Sequence, residues 1–332
     1  MIGINAYQSI IMKVQFRIKK IMKNILVQKL KSLTAMTLSK RKKKQKLIEP
    51  SRTVSLKNSV PQWLKSTAFA HRGLFNPKDQ NQIPENSLLA FQTALEMGYG
   101  IELDVHLTSD GEVVVFHDET LERMTKLLGS VRSKTLLELT QTQLLASNQK
   151  IPTLASVLAL VQGKVPILVE VKNNGHKVGP LEKKVGDLLS AYQGPYTIQS
   201  FNPFTLVYFA KHYPSMIRGL LTYDFPEKGK LNLLQLLLLK KMLLLPLCKP
   251  SYIGYEVNAL LKPWPLLLKR VRHQMPLLAW TIRTEHEFKI ASQIADQVIF
   301  EEWDQRNLVQ TELQLLIQSK SKAGAHSDIH PQ

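Results

Sequence analysis

Four stretches of the 332-residue chain concentrate side chains able to do chemistry: Ala70-His71-Arg72-Gly73, Ile101-Glu102-Leu103-Asp104-Val105, Val113 to Asp118, and Ile167 to Lys172. In each, titratable residues stand where an apolar, strand-like run ends. Strand side chains alternate, so Glu102 and Asp104 point the same way, about 6.6 Å apart. Two carboxylates aimed into an enclosed site repel unless something positive sits between them. A hard divalent cation, Mg2+ or Ca2+, meets that need because both prefer oxygen ligands. Glu170, at the end of another strand, is a candidate third ligand, and Lys172 shares its face. Structural ion pairs between Glu102, Asp104 and interior Arg or Lys would satisfy the same pattern, and these residues alone do not choose between the two.

His71 and His117 form the second constellation. A single histidine is more often packed or exposed than catalytic. Two at strand ends, both near acids or arginine, read as a proton-transfer pair, because imidazole titrates near pH 6.5. Such a pair contributes about 10²–10⁴-fold per proton transfer. Arg72 is suited to a two-pronged grip on phosphate oxygens. A cation, Arg72, Lys172 and two histidines around one spot describe a site for a phosphate ester. Zinc fits poorly, since its Cys-rich or His-rich ligand sets are absent.

These residues need a scaffold that gathers strand ends. From about Ser66 the chain alternates β-rich runs with helical stretches. The expected strands are Thr67–Ala70, Gly100–Val105, Glu112–His117, Pro166–Lys172, Tyr196–Ser200, Ile217–Thr222, Tyr252–Glu256, Leu277–Ile282 and Gln297–Phe300. Helices are expected at Ser87–Met97, capped by Asn86 and stopped by Gly98, and at Leu154–Val161, capped by Thr153 and stopped by Gly163. Leu181–Tyr192 and Asn202–His212 follow the same pattern. This alternation fits an α/β fold, a TIM (β/α)₈ barrel, whose active sites lie at the strand C-terminal ends. An open doubly wound sheet is the rival. Nine strands are one too many for a barrel. The irregularity is expected between Gly100 and Asp118, where Thr108-Ser109-Asp110-Gly111 is a turn rather than a helix.

The charge is unevenly placed. The chain holds 44 Lys and Arg against 26 acids, a formal net charge of +18. Residues 1–50 alone hold 13 Lys and Arg against one acid, Glu49. Ile11, Val14, Ile18, Ile21 and Ile25 recur at helical spacing, with Lys13, Arg17 and Lys20 roughly opposite. This basic, helical N-terminal extension is expected to suit an anionic membrane surface, with a solvated extension of no role as the alternative. Few aromatics interleave its charges, so nucleic acid is not an expected partner. No run in residues 1–35 is long and apolar enough to span a bilayer or act as a signal peptide. Leu231–Leu247 holds 11 leucines in 17 residues but is split by Lys240 and Lys241 and ended by Pro246; a helix buried against the domain is expected. The single cysteine, Cys248, excludes an intrachain disulfide. Domain bounds of 1–50 for the extension, 51–65 for a linker, 66–318 for the barrel and 319–332 for a frayed tail follow. A cytoplasmic protein, attached to the inner face of the membrane, is the expected setting.

The ordered set of motifs resembles the glycerophosphodiester phosphodiesterase family. It comprises His71-Arg72-Gly73, Pro84-Glu85-Asn86-Ser87, Glu102-Leu103-Asp104-Val105, Thr108-Ser109-Asp110-Gly111 and His117-Asp118. It continues through Arg123 and Thr125, Ile151-Pro152-Thr153-Leu154, Glu170-Val171-Lys172, Ser200-Phe201 and Ala279-Trp280-Thr281. The resemblance implies a TIM barrel that hydrolyses glycerophosphodiesters to glycerol 3-phosphate and an alcohol with a divalent metal. It implies His71 and His117 as the acid/base pair, Glu102, Asp104 and Glu170 as metal ligands, and Arg72 and Lys172 as phosphate contacts. It implies Glu85 as a carboxylate at or supporting the site and Trp280 as the aromatic over the glycerol. Two departures bear on the substrate. Arg283 follows Trp280-Thr281-Ile282 where the family usually has Asn, and Glu301 follows Phe300 where it usually has Thr-Asp. Both are expected on the glycerol or alcohol side. A lysophospholipase D acting on lysolipids at the membrane is the alternative activity.

Overall fold

The structure, a computed structural model, describes residues 60–173, 177–224, 242, 244–262 and 275–301. The basic extension, the frayed tail and most of Leu231–Leu247 lie outside the described residues.

All nine expected strands are present: β1 Phe69–Ala70, β2 Gly100–Leu107, β3 Val113–Val115, β4 Ile167–Val171, β5 Tyr196–Ser200, β6 Arg218–Thr222, β7 Tyr252–Glu256, β8 Leu277–Ile282 and β9 Gln297–Phe300. Eight of them run parallel in the order β1-β9-β8-β7-β6-β5-β4-β2, and β1 also pairs with β2, which closes the barrel. The ninth is β3. It turns back antiparallel on β2 through the Thr108–Gly111 turn and lies outside the ring. The open-sheet rival is thereby excluded.

Alternation sorts the strand residues into two layers. Ile101, Leu103 and Val105 of β2 and Ile167, Val169 and Val171 of β4 face out, into the main apolar core. Their neighbours face in. Phe69, Leu168, Tyr252, Leu278 and Ile299 form an apolar floor inside the barrel, together with Leu64 of α1 (Trp63–Ser66). Helix α1 overlaps the end of the stretch expected as a linker. Its Leu64 is fully buried, so Leu64→Ala would cost about 2–5 kcal/mol. Tyr252 fits only because Gly219 faces it on β6; a Cβ there would lie 2.1 Å from the ring. Above this floor the inward positions turn polar: Glu102 and Asp104 on β2, Glu170 on β4 and Gln199 on β5.

The outer helices follow their capping signals with one correction. Helix α2 is Leu88–Glu96, and its cap is Ser87, whose hydroxyl accepts from Ala90 N. Asn86, the expected cap, has φ of 54°, outside the extended conformation an N-cap needs, and its side chain is used elsewhere. Helix α3 (Leu136–Gln141) opens with a capping box of Thr135 and Glu138. Helix α4 (Leu154–Val161) is capped by Thr153 as expected. Helices α5 (Pro180–Ala191) and α6 (Pro203–His212) follow β4 and β5. Pro246 was expected to close the Leu-rich stretch, most of which lies outside the described residues. Pro246 itself sits in the first turn of α7 (Leu245–Cys248), where its missing N–H has no helical partner to lose. Helix α8 (Glu285–Ile294) separates β8 from β9.

Between β3 and α4 the chain makes an excursion with a small core of its own, built from Val114, Phe116, Leu121, Met124, Val131, Leu139, Leu144 and Ile151. It carries His117, Asp118 and Arg123. Among the described residues no helix is long and apolar enough to cross a membrane.

Candidate active site

Register brings the acids together. Asp104 on β2 is the direct neighbour of Glu170 on β4, and Glu102 lies two residues below Asp104 on the same face. Glu102, Asp104 and Glu170 are all buried and each offers a carboxylate oxygen within 4.8 Å of the others. Lys172 reaches between them, with Nζ 2.8 Å from Glu170 Oε1 and 3.0 Å from Asp104 Oδ1. Arg72 Nε lies 3.7 Å from Asp104 Oδ2. Metal ligation and structural ion pairing were alternatives on sequence; the geometry contains the ion pairs and still leaves an excess of negative charge. Burial, with Asp104 and Glu170 nearby, pushes the Glu102 carboxyl well above its ordinary range. Burial also raises Glu170, against the pull of Lys172. Burial works the same way on Asp104, but Lys172, His117 and Arg72 outweigh it and hold that carboxyl well down. The same two acids keep buried Lys172 charged. Three converging oxygen donors with charge still to neutralise fit a hard divalent cation.

The loop after β1 is shaped for this cluster. Arg72 and Gly73 are both left-handed, with φ of 57° and 78°. Left-handed backbone is costly for a non-glycine residue, and here it turns the Arg72 N–H onto Glu102 Oε2 at 3.1 Å. At Gly73 a Cβ would come within 2.9 Å of Ala90 and Phe91, so glycine is required. Asn86, also left-handed, donates its N–H to Arg72 O at 2.9 Å and its amide Nδ2–H to Asp104 Oδ2 at 2.9 Å. From the floor, Tyr252 donates to Gln199 Oε1 at 3.1 Å, and Gln199 donates to Glu102 Oε1 at 3.1 Å. Each acid is thus oriented by fixed neighbours.

The histidines flank the acids. His71 Nε2 lies 3.9 Å from Glu102 Oε2, and its Nδ1 lies 3.5 Å from Glu301 Oε2. Burial lowers the His71 pKa, partly offset by Glu301. His117 is near enough to Asp104 and Glu170 that its charged form lowers both. Its Nδ1 lies 2.6 Å from Asp118 Oδ1. Burial would raise Asp118, but His117 and Arg123 hold it well below the carboxylate range. Glu85 is 3% exposed and lies between two guanidiniums, 3.0 Å from Arg72 Nη1 and 2.6 Å from Arg123 Nη2. Arg123 therefore ties Glu85 to the Asp118–His117 pair.

Trp280 sits at an inward position near the end of β8. Its ring stands edge-on to Phe201, with centroids 5.4 Å apart, and Phe201 stands edge-on to Tyr223 at 5.8 Å. These three aromatics follow β5, close β6 and belong to β8, so they form one wall. The two departures meet: Arg283 Nη2 lies 2.7 Å from Glu301 Oε2, and Glu301 faces His71.

The structure thus places His71, Arg72, Glu85, Glu102, Asp104, Glu170 and Lys172 in one connected cluster with His117 beside it. Sequence reasoning did not assign Asn86, Asp118, Arg123 or Gln199 a role in the site, and it expected Glu301 on the glycerol or alcohol side, whereas Glu301 lies against His71 Nδ1. Asp118, adjacent to His117, offered a local signal, and Gln199 was a polar residue at an inward position of a barrel strand. Arg123 and Glu301 had no local signal for their partners.

The Glycerophosphoryl diester phosphodiesterase family matches residues 71–305, which include every residue of this cluster. The chain belongs to that family. It is 35% identical over 168 residues to a glycerophosphodiester phosphodiesterase of Caldanaerobacter subterraneus subsp. tengcongensis, covering 48% of this chain and 67% of the relative. It is 36% identical over 167 residues to a glycerophosphodiester phosphodiesterase of Bacillus altitudinis, covering 47% and 66%. The alignments thus span about two thirds of these relatives and about half of this chain. The barrel is similar to that of an Oleispira antarctica phosphodiesterase solved with the product sn-glycerol-3-phosphate. The TM-score is 0.60 at 22% identity, over 76% of this chain and 96% of that one. At that identity the likeness is one of fold.

Proposed function

We propose that the chain hydrolyses glycerophosphodiesters to glycerol 3-phosphate and an alcohol. One observation carries this reading: three buried carboxylates converge beside His71 and within electrostatic reach of His117, with Arg72 and Lys172 alongside, inside the matched family region.

Glu102, Asp104 and Glu170 would hold a divalent cation, Mg2+ or Ca2+, which when bound supplies Lewis-acid stabilisation of charge on the phosphoryl group. Arg72 and Lys172 bind phosphoryl oxygens and share that charge. One histidine takes the proton of the nucleophile, either water or a glycerol hydroxyl that first closes a cyclic phosphate. The other protonates the alcohol oxygen as its bond to phosphorus breaks. Glu85 keeps Arg72 in place from behind. Trp280, with Phe201 and Tyr223, gives the substrate an apolar wall.

That wall and the basic extension favour a second reading, a lysophospholipase D acting on lysolipids at an anionic membrane. Glycerophosphocholine and lysophosphatidylcholine, assayed with the whole chain and with a chain starting at Ser51, separate the two. The first reading predicts glycerol 3-phosphate from glycerophosphocholine with both chains. Turnover of the lysolipid alone, dependent on residues 1–50, would replace it. Pelleting with anionic vesicles by the whole chain and not the shorter one would support membrane attachment of the extension; equal behaviour would remove it.

A further inference from the structure

Barrel closure puts the two ends of the domain side by side. Strand β9 pairs with β1, with Ala70 opposite Phe300. His71 N then donates to Phe300 O at 2.8 Å, and Glu301 N donates to Ile282 O at 2.9 Å. Phe69 and Ile299 both face the barrel interior. By alternation His71 and Glu301 face inward too. The Glu301 carboxylate meets Nδ1 of His71 at 3.5 Å, on the opposite side of the ring from Glu102, and meets Arg283 Nη2 at 2.7 Å. Among the described residues Nδ1 is buried and closes no hydrogen bond. Glu301 is the acceptor within reach. A separation of 3.5 Å is ion-pair distance rather than a closed hydrogen bond, as is common before substrate tightens such contacts.

The same order of groups recurs across the site. His117 Nδ1 meets Asp118, and Asp118 meets Arg123 Nε. Each histidine is thus backed at Nδ1 by a carboxylate, and each carboxylate by an arginine. A carboxylate at Nδ1 fixes the ring's orientation and puts the proton on Nδ1, leaving the Nε2 lone pair free to act.

We propose that Glu301 is a positioning residue for His71, holding its proton on Nδ1 and its Nε2 toward the acid cluster, and that Arg283 holds Glu301 in turn. This deepens the phosphodiesterase reading and rests on it for His71's role.

The test uses the whole chain with Glu301→Met, which removes the acceptor, and Glu301→Gln, which keeps an uncharged acceptor oxygen. Nitrogen-15 NMR of the histidines reads the His71 tautomer, the signal being assigned by its loss in His71→Asn. The wild type should show the proton on Nδ1. Glu301→Met should show a mixture or the other tautomer, with kcat down on the order of 10–100-fold and KM within about threefold. Glu301→Gln should recover part of both. An unchanged tautomer in Glu301→Met, or a kcat within twofold of wild type, overturns the proposal. Should Glu301→Met not fold, a proton found off Nδ1 of His71 in the wild-type chain overturns it instead. If no variant or wild-type chain releases glycerol 3-phosphate, the functional reading fails, while the tautomer still decides the role of Glu301.

Discussion

The side chain of His71, just past β1, is 12% exposed, whereas that of His117, just past β3, is 28% exposed. Their supports differ as much as their burial. His117 is held by Asp118, its neighbour in sequence, and by Arg123, five residues further on. The excursion carrying them has its own small core. His71 is held by the backbone of Phe300 and faced by Glu301, which reach it only when β9 closes on β1. One histidine therefore depends on local structure and the other on completion of the whole barrel.

The comparison breaks most sharply at the rings themselves. His71→Ala and His117→Ala should each lower kcat on glycerophosphocholine by on the order of 10²–10⁴-fold, with circular dichroism unchanged. Substantial residual turnover in only one variant would mean that the two histidines are not an acid/base pair.

The arginines sharpen it. Arg123 contacts Asp118 and the buried Glu85, whereas Arg283 is half exposed and contacts Glu301. Arg123→Ala should therefore cost on the order of 10–100-fold in kcat and about 1–3 kcal/mol of stability by leaving Glu85 with Arg72 alone. Arg283→Leu should cost less on both counts in steady-state kinetics and urea unfolding. Equal losses would show that the two supports carry the same load.

The remaining effect is confined to acid and leaves neutral-pH turnover untouched. Burial alone would raise the Glu301 carboxyl, but His71 and Arg283 hold it at about 2, below its ordinary 4.5. Its folded pKa is lower than its unfolded one. Its contribution is therefore complete above pH 4.5 and disappears as pH falls toward 2. The window is worth roughly 2–3 kcal/mol after allowing for partial exposure. Urea unfolding of Glu301→Gln should lose less stability than wild type between pH 4.5 and 2. Parallel curves would show that Glu301 is not held by charge.

What could be read from the sequence follows the same division. The nine strands were legible because barrel strands covered on both faces are short apolar runs bounded by turns. The convergence of Glu102 with Asp104 was legible from alternation alone, and Glu170 with Lys172 likewise. The excess strand was traced to the turn at Thr108–Gly111, but its identity as β3 needed the pairing. Asn86 was misread as a helix cap because an Asn before a helical run signals both a cap and a left-handed turn; the contact that decides it is Asp104, 18 residues away. Gln199 reaching Glu102 and Glu301 reaching His71 depend on register around the closed ring, which no local pattern encodes.

The most direct test is coupled detection of glycerol 3-phosphate released from glycerophosphocholine by the metal-depleted chain, before and after adding Mg2+, Ca2+ or Mn2+. Product should be absent on depletion and return with at least one of the ions. Full turnover in a verified metal-free sample, or no product from any glycerophosphodiester with any of these ions, would contradict an acid cluster that serves phosphodiester hydrolysis.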